Sequence, residues 1–192
     1  MTSQSTNLEG YVDEVRYELT ELANLAVWIC RGRFAQFETT IRNAMLEADL
    51  THARCLIEFI LNKDNQKQSI AAYHLNNVWN GPPNAAALET EYTRICDALS
   101  HLSKQRARPA PSKPEWNLPW LVGQILDGLE DLGKTLGSKT HELAFKKVVA
   151  EVRALHDNEW PPPTTAISAS TSSSLGNDPT GFTLGSSTGP PP

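Results

Sequence analysis

Apolar residues recur every three or four positions along most of the first 160 residues. The first such stripe is formed by Val12, Val15, Leu19, Leu22, Ala26 and Ile29. This spacing places side chains on one face of an α-helix. No segment shows a convincing alternation of apolar and polar residues, which is the pattern of a half-buried β-strand. The pattern predicts an all-α fold.

Further stripes of the same period predict the remaining helices. The second comprises Phe34, Phe37, Ile41, Met45, Ala48, His52, Leu56 and Phe59. The others comprise Leu88, Tyr92, Ile95, Leu99 and Leu102, then Leu118, Val122, Ile125, Leu129, Leu132 and Leu136, and finally Phe145, Val148, Val149, Val152 and Leu155. The predicted caps are Asn84, Asn117 and Ser138, and the predicted stops are Gly32 and Gly137. Together these signals predict an antiparallel bundle of five or six helices.

The last 32 residues differ in composition from the rest of the chain. Pro, Ser, Thr and Gly account for 24 of the residues 161–192, and Asp178 is the only charged residue there. Such a segment buries too little apolar surface to offset the entropy of ordering it. We therefore predict a helical bundle domain over 1–160 and a disordered tail over 161–192.

Charge and cysteine usage narrow the class of protein. The formal net charge is −5, so a general nucleic-acid coat or a membrane-surface protein is excluded, and any nucleic-acid site must be a local patch. Three cysteines form no CxxC pair, and no signal peptide is apparent, which predicts a cytoplasmic location. No apolar run approaches the roughly 20 residues of a membrane helix.

One helical segment carries a candidate catalytic group. Arg94 and His101 are seven residues apart, which is about two helical turns, so they share a face. Asp97 lies between them, where it can pair with the guanidinium and orient the imidazole. Lys104 and Arg106, together with Arg108, follow as the only dense basic patch. A histidine acid/base beside an arginine that binds phosphate is a minimal toolkit for metal-independent RNA cleavage.

The Arg-x(4–6)-His pattern in an all-α bundle resembles the HEPN superfamily. The resemblance implies a metal-independent ribonuclease, a toxin or defence effector, whose two Arg–His pairs meet in a homodimer. It assigns Arg94 and His101 to the catalytic pair. The superfamily often has a polar residue directly after the arginine, where this chain has Ile95.

A second resemblance covers about residues 30–110. The chain is similar to a group of uncharacterised bacterial helical proteins with the pattern N-A-x-L-E-x-x-L-x-H-A-R-x-L-I-[DE]-F, followed by A-H-L-[ST]-x-x-R. This similarity singles out His52, Arg54 and Arg106. If their helices are neighbours, His52 approaches His101, and these side chains with Lys104 form an anion site for RNA phosphate or a nucleotide. The alternative is that His52 is a core histidine with a satisfied hydrogen bond.

Two further parts of the sequence carry residues typical of other chemistries. Residues 128–135 match the P-loop pattern GxxxxGK[ST], but the pattern requires a preceding strand, and here it continues an amphipathic helix. The spacing of His52 with Cys55, and of Cys96 with His101, does not predict a metal site. We thus predict no metal and no cofactor. The predicted function is a ribonuclease acting through Arg94, Asp97 and His101; the alternatives are a non-catalytic module that binds a protein, such as an antitoxin, or a nucleotide, and nucleotide binding at the P-loop match.

Overall fold

The structure is a computed structural model that describes residues 8–62, 70–99 and 115–160. These ranges form five α-helices and no strand, which confirms the all-α prediction. The helices are α1 (Leu8–Cys30), α2 (Thr39–Ile60), α3 (Ala85–Leu99), α4 (Leu118–Thr135) and α5 (Thr140–Glu159). The tail predicted over 161–192 lies outside the described residues.

The helices pack around one apolar core. α1 contacts α2, α4 and α5, while α2 lies between α1 and α3 and also contacts α4. Four fully buried side chains, Leu19, Leu50, Leu129 and Phe145, show how four of the helices contribute to this core. The helices α1, α3, α4 and α5 turn most of their predicted apolar stripes inwards, because burying that face removes apolar area from water.

The face predicted for α2 is partly wrong: Leu56 and Phe59 are buried, but Ile41 is exposed and Ala48 and His52 are half-buried. The larger aliphatic side chains Leu46, Leu50 and Ile57 turn inwards in their place.

Two of the predicted helix starts differ from the structure. Asn117 caps α4 as predicted, since its Oδ1 accepts a hydrogen bond from the Trp120 amide at 3.2 Å. Asn84 does not cap α3: its Nδ2 donates to the backbone and side-chain oxygens of Gln124 and so ties the start of α3 to α4. The predicted cap Ser138 lies one residue too early, because α5 begins after Lys139.

The second helix is shorter at its start than its apolar stripe predicted. α2 begins at Thr39, and residues 33–36 form a separate turn of 3-10 helix. Phe34 and Phe37 therefore precede α2. The turn follows Gly32, whose φ of +66° ends α1 in the left-handed conformation that glycine adopts without strain.

Candidate functional site

Arg94 is held by three contacts at the surface of α3. Its Nη1 donates to both carboxylate oxygens of Glu91 at 2.7 Å, and its Nη2 donates to the Glu115 carbonyl at 3.0 Å. The guanidinium also lies 4.7 Å above the ring of Trp116. Because the Glu91 side chain is only 6 % exposed, the arginine neutralises a nearly buried charge. Arg94 therefore fastens the segment that leads into α4.

These contacts change the interpretation of the predicted catalytic group. The sequence paired Arg94 with Asp97, whereas the structure pairs it with Glu91 and leaves the Asp97 side chain exposed. The correction has a physical reason, since a buried carboxylate and a tryptophan face hold a guanidinium better than an exposed aspartate. His101, Lys104 and Arg106 lie outside the described residues, so the geometry of the Arg94–His101 pair stays a prediction.

We expect Arg94→Ala to destabilise the protein by about 2–4 kcal/mol, because it leaves the Glu91 carboxylate buried without its partner. Urea unfolding followed by circular dichroism measures this. The double variant Glu91→Gln/Arg94→Ala is the matched control, since it removes the uncompensated charge and should recover part of the loss. An unchanged unfolding midpoint in Arg94→Ala would contradict the structural role.

His52 links α2 to α1. Its Nδ1 is 2.7 Å from Oε2 of Glu18, and the ring meets Tyr17 edge to face at a centroid distance of 5.8 Å. The side chain is 16 % exposed, so it is a partnered histidine at the margin of the core. This arrangement agrees with the reading of His52 as a satisfied residue. Its distance from His101 stays a prediction.

Arg54 and Glu58 form the ion pair that their spacing predicted, with Nε and Oε1 at 3.6 Å. Glu58 also receives a hydrogen bond from the hydroxyl of Tyr92 on α3 at 3.0 Å. Desolvation by burial, and after it this hydrogen bond, raise the pKa of Tyr92. Tyr92 is therefore a neutral donor that connects α2 with α3, and Arg54 is engaged at one edge of the same cluster.

The Cys55 thiol on α2 is a weak candidate for nucleophilic or metal chemistry. Burial raises the pKa of the Cys55 thiol, and the nearby Glu18 carboxylate adds to this. A protonated thiol is a weak nucleophile and a poor metal ligand. Within the described ranges, no group of three or more His, Cys, Asp or Glu side chains has a geometry that holds a metal ion.

The outward face of α2 lies between α1 and α3. The outward side chains of α2 at Ala48, Thr51, His52 and Cys55 are half-buried, while those of α1 at Tyr17 and Trp28 are exposed. We call this outward strip of α2 the floor. We define the α2 groove as this floor together with the side chains beside it on α1, α3 and α2. The floor comprises Ile41, Ala44, Ala48, Thr51, His52 and Cys55. The side chains beside it are Glu14, Tyr17, Glu18, Glu21 and Trp28 on α1, Glu89, Tyr92 and Cys96 on α3, and Arg54 and Glu58 on α2.

Asp49 is a buried acid that the sequence analysis did not single out. Its side chain is fully buried, and neither carboxylate oxygen has a hydrogen-bond partner. Desolvation raises its pKa well above the ordinary value. The sequence contains a signal for this buried acid, since Asp49 lies on the same helical face as the apolar residues Leu46, Leu50 and Ala53.

The P-loop match forms no loop. Residues 128–135 are the last two turns of α4, and the described residues before them, from 115 onwards, contain no strand. Lys134 lies 3.7 Å from Asp131 on the same helix. Backbone amides inside a helix are bonded to carbonyls of the preceding turn and cannot wrap a phosphate. The structure therefore confirms the helix predicted for this segment, and this geometry gives no support to a nucleotide site at 128–135.

Comparison of the chain with protein-family models, curated proteins and solved structures found no match. In the described part of the chain, the helices are all too short or too polar to cross a membrane.

Proposed function

We propose that the protein is a non-catalytic helical module that binds a partner protein in the α2 groove. The observation that carries this proposal is the lack of charge along the floor of the groove. Ile41, Ala44, Ala48, Thr51 and Cys55 follow one another along the outward line of α2, and none is charged. An outward helix face in a monomer is normally polar and charged.

The exposed aromatic residues support the same site. Tyr17 is 56 % exposed and Trp28 41 % exposed, and they stand eleven residues apart, which places them about 20° apart around α1. Ile41 on the floor is 46 % exposed. Scattered apolar residues are ordinary on a surface, but aromatic side chains aligned beside an uncharged strip are typical of a protein-binding face.

The ribonuclease remains the second candidate, and it rests on the resemblance to the HEPN superfamily. It needs Arg94 to contact phosphate. Glu91, the Glu115 carbonyl and Trp116 already engage that guanidinium, so binding RNA would cost these contacts. The HEPN-like type of bundle, the homodimer and the cytoplasmic location belong to the same hypothesis.

We expect the variant Ala44→Glu/Ala48→Gln to lose a partner that the wild-type protein retains, because a charge and an amide would have to be desolvated on the apolar floor. The measurement is affinity capture from the native host, with retained proteins quantified by mass spectrometry, and the expected loss is tenfold or more, about 1.4 kcal/mol. Leu143→Glu is the matched control, since Leu143 is 53 % exposed on α5, away from the groove.

Equal retention by wild type, groove variant and control would overturn the binding module. Purified protein should also leave total RNA and tRNA intact in EDTA. Cleavage by the wild type that is lost in His101→Ala, at equal helix content by circular dichroism, would establish the ribonuclease in place of the proposed function.

A further inference from the structure

We draw no further inference here: the strongest candidate, the carboxyl of Asp49 that lies buried on the core side of α2 without a hydrogen-bond partner, bears on stability alone, because nothing in the described residues shows a ligand or a partner that would use it.

Discussion

Replacement of Asp49 by leucine is expected to raise the free energy of unfolding by about 1–3 kcal/mol, because the wild-type carboxyl is buried with neither oxygen hydrogen-bonded. Leucine has a similar shape and matches the surrounding Leu46, Leu50 and Ala53 on the buried face of α2. Urea unfolding at neutral pH measures the gain. For a domain of this size it corresponds to a rise in Tm of about 2–4 °C per kcal/mol.

The effect of Asp49 on the free energy of unfolding should depend on pH. Burial raises the pKa of Asp49 in the folded state, so the fold keeps the proton that the unfolded chain releases near pH 3.8. The contribution of Asp49 to stability is therefore greatest below that pH and is lost as the pH rises towards the raised value. The advantage of Asp49→Asn over wild type should grow as the pH rises above 3.8 towards the raised pKa.

The control for this prediction is an exposed acid of the same type. Asp97 is exposed on α3, and Asp97→Asn should change the unfolding free energy by less than about 0.5 kcal/mol. A wild-type protein that is more stable than both Asp49→Leu and Asp49→Asn at pH 8 would show that Asp49 makes a favourable interaction, and the prediction would be wrong.

Substitution of Gly128 by valine is expected to destabilise the protein by about 1–3 kcal/mol or more, since this glycine marks a close contact between helices. A Cβ at this position would lie 3.1 Å from Cγ2 of Ile60 on α2 and 3.4 Å from Cβ of Pro82. Both neighbours belong to packed segments, so the larger side chain would push α4 away from them. Thermal and urea unfolding measure the loss.

Gly133 is the matched control, because it occupies the other glycine position of the P-loop match. Its added Cβ would meet Lys146 at 3.7 Å and Phe145 at 3.8 Å, which are ordinary contacts. Gly133→Ala should therefore stabilise α4 by about 0.5–1 kcal/mol through helix propensity. Loss of stability in both variants alike would refute the distinction between a packed and an open glycine.

The helical spacing of apolar residues is sufficient to predict most of the helices. The buried faces of α1, α4 and α5 agree closely with their apolar stripes, because the side chains that a helix buries recur every three or four residues in its sequence. The ends of helices were less predictable. Asn84 has the residue type of a cap, yet its amide is taken by Gln124 on α4, a partner that no local pattern reveals.

The candidate sites show where residue spacing stops being informative. Spacing within one helix correctly paired Arg54 with Glu58. The same spacing paired Arg94 with Asp97, but the Arg94 guanidinium contacts Glu91 and Trp116 instead. The contact with Glu91 is favoured because the guanidinium lowers the free-energy cost of burying that carboxylate. The contact of His52 with Glu18 joins residues 34 apart in the chain, so it depends on how α1 and α2 pack.

Residue order alone established the helical class, the inward faces of α1, α4 and α5, the composition break before residue 161 and the net charge, because each is a property of one segment or of the whole composition. Helix packing decided the rest. It placed α2 between α1 and α3, buried Asp49 without a hydrogen-bond partner and brought Gly128 against Ile60. These features arise from distances between segments that are remote in the chain, and such distances exist only once the helices have packed.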